Sequence, residues 1–390
     1  MIQVDISNIW GSVSLPDLLG LEAEISAAHM RLTEEEAARQ RLAIVPEGEL
    51  QRLCAAAELI RSDSQVLLVL GSGDSGLSAR AVTELLRGPE WMRTAPPEET
   101  KILFAGPRFS VDRWKALTGI LEGRDFSLCY IGEADGDSEP LIAFRELRWM
   151  LERRYGTDEA RRRIYLVAHE ERENLIRMAR EEDWELFVVP GEVLRARWPL
   201  SAAALLPMAA AGIDIVRLCR GAEAAREALE LRSYENPAWL YAASRNLLGR
   251  KGKHVEWLEP FVPGFREMGL WWQQTFACAG SAVCPVLCAE PAALKDQLVS
   301  MIRFAPSGGE LCVRSDAKDL DGLNALAGKA LDQVRESVFE DLLMRHADRD
   351  CSVICMDCDV LCEETAGQLL YFLQLSRELS AGAQPDSGRE

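Results

Sequence analysis

The chain reads as an α/β protein whose parallel sheets are each covered by helices on both faces, in two successive three-layer sandwiches. Two observations carry this. Short β-branched and leucine-rich runs alternate with helical segments from Val66 to residue 189, and the rhythm resumes from residue 253. A third concerns LLVLGSGDSGLSARA at 67–81, where an apolar strand runs into a glycine-rich turn and a helix start, the layout of an anion-binding strand–loop–helix unit.

Taken in order, residues 1–62 read mainly as helices, an N-terminal flank in which SLPDLLGLEAEISAAHMRL and GELQRLCAAAELIR place apolar residues at helical spacing. The first sandwich, 63–200, is expected to contain strands 66–70, 101–105, 127–131, 163–168 and 186–189. Helices 77–87, 110–122, 139–154 and 171–181 lie between them. The second, 201–381, opens with a small-residue helix at 202–212 and a charged helical stretch at 215–250 that ends in a basic turn. It continues as strand 253–259, helix 265–277, strand 284–288, helix 291–301, strand 309–313, helix 321–346, strand 351–357 and helix 362–381. Residues 382–390 form a polar tail.

With 390 residues, 48% of them hydrophobic, the chain has ample material for two cores. A net charge of −18 and the absence of a basic cluster interleaved with aromatics argue against nucleic acid and anionic membranes as partners. No apolar run is long enough for a membrane span, and MIQVDISNIW lacks a signal-peptide pattern, so a cytoplasmic location is expected. Eleven cysteines without secretory context imply reduced thiols. Cys351, Cys355, Cys358 and Cys362 tempt a metal assignment, but a strand over 351–357 sends Cys351 and Cys355 to one face and Cys358 to the other. No metal or cofactor is assigned. Trp271 and Trp272 are expected in the core or at a subunit interface rather than stacked on a ligand.

Seven colinear blocks carry a resemblance across nearly the whole chain: IRSDSQVLLVLGSGDSGLSARA (60–81), FAGPRFSVDRWKALTGILEGRDFSL (104–128), EPLIAFRELRWMLERRYG (139–156), LLPMAAAGIDIVRLCRGA (205–222), ENPAWLYAASRNLLGRKGK (235–253), WWQQTF (271–276) and DLDGLNALAGKALDQV (319–334). Together they resemble the glucose-6-phosphate isomerase family, aldose–ketose isomerases built from two sugar-isomerase (SIS-type) domains. The resemblance implies a sugar-phosphate ligand and a homodimer. It places ligand contacts at Gly71, Ser72, Gly73 and Ser75 in the first loop, at Gly132 and Gly136 in the second, and at Gln297.

The positions that carry the family's chemistry are altered. The family's second phosphate loop reads Ser-Lys-Ser-Gly-Thr-Thr, whereas Gly132-Glu133-Ala134-Asp135-Gly136-Asp137 stands here. A carboxylate about 4 Å from a phosphate costs roughly 1 kcal/mol in water and up to about 4 at an effective dielectric of about 20, so this loop repels the dianion. In the first loop Asp74 replaces a glycine. The family's Gly-Gly-Arg aligns its arginine with Ala196, flanked by Arg195 and Arg197. Its general-base glutamate aligns with Cys278, and its ring-opening histidine with Ala293. The segment ahead of its C-terminal lysine helix has no counterpart.

Each acid–base group supplies about 10²–10⁴-fold, so these losses would together raise the barrier by roughly 8 kcal/mol if they acted independently. The resemblance therefore implies either a non-catalytic or severely impaired homologue that binds a ligand or protein partner, or an active isomerase relying on Arg195 or Arg197 and substitutes elsewhere.

Overall fold

The computed structural model describes residues 2–71, 76–96, 98–105, 110–133, 138–195, 198–278, 283–287, 297–309 and 311–383, with the side chains of residues 194, 195 and 278 outside the description. Its strands are β1 (Gln3–Asn8), β2 (Val66–Gly71), β3 (Lys101–Ala105), β4 (Phe126–Gly132), β5 (Ile164–His169), β6 (Glu185–Val189), β7 (Val255–Pro260), β8 (Cys284–Leu287), β9 (Leu298–Phe304) and β10 (Ser352–Cys358). They form two five-stranded sheets, ordered β3-β2-β4-β5-β6 and β1-β10-β9-β7-β8. The first is parallel throughout. In the second, only β1 runs antiparallel, against β10.

Alternation along β2 explains the first three-layer arrangement. Leu67 and Val69 face a core shared with helices Glu47–Asp63, Leu77–Arg87 and Ala202–Ala210. Val66, Leu68 and Leu70 face a second core closed by helices Val111–Leu121, Ser138–Tyr155 and Glu173–Glu181. A strand buried on both faces needs a continuous apolar run, and VLLVLG supplies one. Around the second sheet, helices Pro237–Arg250, Arg266–Cys278 and Glu363–Gly382 join the large core, while Leu331–Ala347 covers the opposite face through Phe339.

The small-residue helix Ala202–Ala210 is buried at every position, so its alanines permit close packing between layers. Helices Ile215–Ala228 and Glu363–Gly382 approach still more closely, at Gly221 and Gly367. A Cβ on either glycine would lie 2.0 Å from a backbone carbonyl oxygen of the other helix.

The sequence reading needs three corrections. Residues 3–8 form a strand within the expected helical flank, and that strand completes the edge of the second sheet. Residues 298–304, expected to end a helix at 291–301, form the central strand β9; residues 291–296 lie outside the described residues. At 309–313 there is no strand among the described residues, only an isolated bridge between Cys312 and Ala330. Residue 310 and the tail from 384 onward are outside the described residues. No described helix is long and apolar enough to cross a membrane.

Candidate functional site

The first sheet has a topological switch. From β2 the chain moves to β3 on one side and then returns past β2 to β4 on the other. In open α/β sheets the crevice outside the carboxyl ends of the strands at such a switch, here β2 and β4, is the usual ligand position. Gly71 ends β2 opposite Ile131, and Gly132 ends β4 opposite Ala168. The two glycines thus sit on adjacent strands at the mouth of the crevice. Close packing restricts this rim to small residues: a Cβ at Gly132 would meet Leu175 at 2.8 Å, and one at Gly76 would meet the Phe104 ring at 2.3 Å.

The second sheet contributes its opposite edge. Helix Arg266–Cys278 packs on helix Leu77–Arg87, which follows the first loop, and runs back to the amino edge of the second sheet. Cys278 is its last residue. Gln297, half-buried, directly precedes β9 at the same edge, and its carbonyl accepts from Ser352 N at 3.0 Å. Trp271 and Trp272 are fully buried in the large core.

A chain of charges ties these pieces together. Arg377 Nε donates to the Thr275 carbonyl, one turn before Cys278, at 3.3 Å, and its guanidinium also pairs with Glu378. Glu378 accepts from Arg41 Nε at 3.1 Å, and Arg41 Nη1 reaches Glu192 at 2.9 Å on the short helix Gly191–Arg195. Burial works against the Arg41 charge, but Glu378 and Glu192 outweigh it and hold the guanidinium above its ordinary value. The helix carrying Cys278 and the one ending in Arg195 are therefore cross-braced. None of Arg41, Glu192, Arg377 and Glu378 stands out from the sequence, though an Arg-Glu pair within the otherwise apolar run LLYFLQLSRELS is a signal in retrospect.

His169, at the end of β5, is 1% exposed. Its Nδ1 accepts from Glu171 N at 3.0 Å, so the neutral ring carries its hydrogen on Nε2. That atom has no hydrogen-bond partner among the described residues and occupies the space beside Gly191, where a Cβ would lie 2.3 Å away.

Ser72, Gly73, Asp74, Ser75, Gly136, Ala196, Arg197 and Ala293 lie outside the described residues, as do the side chains of Arg195 and Cys278. The cysteine run divides as its alternation requires. Cys351 and Cys355 join the core with Phe339, and Cys358 joins the large core on the other face. Burial, with acidic neighbours, pushes the Cys355 and Cys358 thiols up to about 12, away from the thiolate that a metal needs.

No family model matches the chain. Glucose-6-phosphate isomerase of Bacillus cereus (strain AH187) is 34% identical over 351 residues, covering 85% of this chain and 78% of that protein. The chain belongs to the glucose-6-phosphate isomerase family.

The Bacillus anthracis glucose-6-phosphate isomerase matches over the same shares at the same identity. Among solved structures, a glucose-6-phosphate isomerase from Chlamydia trachomatis superposes with a TM-score of 0.73 at 14% identity, over 98% of this chain and 84% of that one. A hypothetical protein from Thermus thermophilus gives a TM-score of 0.79 at 17% identity, over 98% and 94%. These two likenesses concern the fold.

Proposed function

We propose that this family member is a non-catalytic or severely impaired homologue that keeps the two-sandwich scaffold to bind a small molecule or a protein partner. The observation that carries the reading is the residue set at the switch. The loop leaving Gly132 has Glu133, Asp135 and Asp137 where the family places phosphate-binding hydroxyls and a lysine, and Cys278 stands at the base position. A thiol with a reference pKa near 8.5 is mostly protonated at neutral pH and makes a poor substitute for a carboxylate base.

A second reading is an active isomerase interconverting glucose 6-phosphate and fructose 6-phosphate in the cytoplasm, with Arg195 or Arg197 stabilising charge. The 34% identity to Bacillus isomerases favours it. Turnover of fructose 6-phosphate followed through a coupled dehydrogenase separates the two. The first reading expects no rate above background; a rate proportional to protein concentration supports the second.

Self-association fits either reading. The segment from Ala305 to Leu331 is largely exposed and presents Leu311, Leu320, Leu323 and Leu331, with Leu320 85% exposed. Such exposed leucines suit burial against a second copy. Sedimentation of the wild-type chain beside Leu320→Asp tests this, with a shift toward monomer expected in the variant.

A further inference from the structure

A cavity of about 150 Å³ lies between edge strand β3 and the packed helices Leu77–Arg87 and Arg266–Cys278. Arg80, Glu84, Trp91, Met92, Phe104 and Glu267 are among its lining residues. Its polar groups are incompletely satisfied. Glu267 is only 9% exposed; its Oε1 accepts from Arg266 Nη1 at 2.7 Å, while Oε2 is buried without a hydrogen bond from any described residue. Arg80 Nε lies 3.5 Å from Oε2, also buried and without a hydrogen bond among the described residues, so the pair is in ionic contact only.

Glu84 adds a second carboxylate. It is half-buried and makes no side-chain hydrogen bond to a described residue. Burial, and then repulsion from Glu267, raise its pKa, with Arg266 and Arg80 only partly opposing them. Arg80 is drawn over the Phe104 ring, 5.7 Å from its centroid, and the Arg266 side chain is 71% exposed. Glu84, Glu267 and Arg80 face the cavity, while Arg266 holds Glu267 Oε1 from the solvent side. The remaining wall is apolar, from Trp91, Met92 and Ile102.

We propose that this cavity binds a small primary alkylammonium, which donates to the Glu84 carboxylate and Glu267 Oε2 and lays its short apolar body on Trp91 and Met92. Its three N–H donors meet the two Glu84 oxygens and Glu267 Oε2, the last in competition with the ionic contact to Arg80. The positive charge relieves the repulsion between the carboxylates, which a neutral molecule of the same size does not. No residue of the loops after Gly71 and Gly132 is needed for these contacts, so the proposal stands whether or not the isomerase chemistry survives.

The test is calorimetric titration of the full chain with propylammonium chloride, beside 1-propanol and sodium chloride at matched ionic strength. Saturable binding of the ammonium is expected, with the alcohol weaker by about tenfold or more, the scale of one charge-assisted hydrogen bond. Glu84→Gln and Glu267→Gln should each weaken binding by about the same factor. Met92→Trp, which fills the cavity while keeping every charge, should abolish it and serves if a carboxylate variant misfolds. Equal affinity for alcohol and ammonium, unchanged affinity in either glutamine variant, or no saturable heat with the wild-type chain would each overturn the proposal. In that case Arg80 and Glu267 simply close into their own ion pair.

Discussion

Arg245 and Glu256 meet at 2.7 Å with both side chains wholly buried beneath the second sheet. The carboxylate also accepts from Tyr241 Oη at 2.6 Å and Ser300 Oγ at 2.5 Å, and the guanidinium donates to the Val283 carbonyl at 3.0 Å. Because these bonds link helix Pro237–Arg250 to β7, β9 and the approach to β8, the pair fixes how that helix seats on the sheet. Removing one member leaves the other buried without its counter-ion. Arg245→Leu should destabilise the chain by about 3–5 kcal/mol in urea unfolding. Replacing both Arg245 and Glu256 with leucine should cost less than the single change.

The crossing at Gly221 and Gly367 gives an opposite sign to helix propensity. In an exposed helix, glycine to alanine stabilises by about 1 kcal/mol. Here the added methyl meets a backbone oxygen at 2.0 Å, so the two helices must separate. Gly367→Ala should lower stability by about 1–3 kcal/mol, the usual cost of overpacking, as measured by the denaturant midpoint.

An acid-side titration reports the contact between helices Ile215–Ala228 and Glu363–Gly382. The hydrogen bond from Arg217 holds the Glu364 carboxyl down to about 2, from an ordinary 4.5. A group depressed in the folded state stabilises it above the unfolded pKa and loses that contribution as pH falls from about 4.5 through about 2. Both side chains are substantially exposed, so the gain is small and screened by salt. NMR titration of Arg217→Ala should show Glu364 returning toward 4.5.

His169 and Gly191 make a steric pair next to the crevice. Gly191→Ala should displace the imidazole or the helix that ends in Arg195, because the new Cβ would lie 2.3 Å from Nε2. His169→Ala removes that obstacle. Gly191→Ala alone should therefore lower the melting temperature by more than it does in the His169→Ala background, a coupling measurable by a double-mutant cycle.

The first sheet is legible because each of its central strands is a short, mostly apolar run bounded by a turn and a helix. β9 is not, although LVSMIRF is similarly apolar. Leu294, Leu298, Met301 and Ile302 also fall at helical spacing, and only the neighbours β10 and β7 decide for a strand. β1 pairs with a strand near the other end of the chain, a contact that local pattern does not register. In the site, the glycines at the ends of β2 and β4 follow directly from the strand–turn–helix pattern. The brace Arg377–Glu378–Arg41–Glu192 does not, because its members come together only after both sandwiches have docked.

The central claim concerns proton transfer at the position held by Cys278. Incubating the protein with glucose 6-phosphate in D2O and following the C2 proton by NMR reads that step directly, without a coupling enzyme. The account predicts that the C2 signal persists, with no deuterium incorporation above a protein-free control. Loss of that signal at a rate proportional to protein concentration would contradict it, and Cys278→Ala would then tell whether the thiol or a base elsewhere takes the proton.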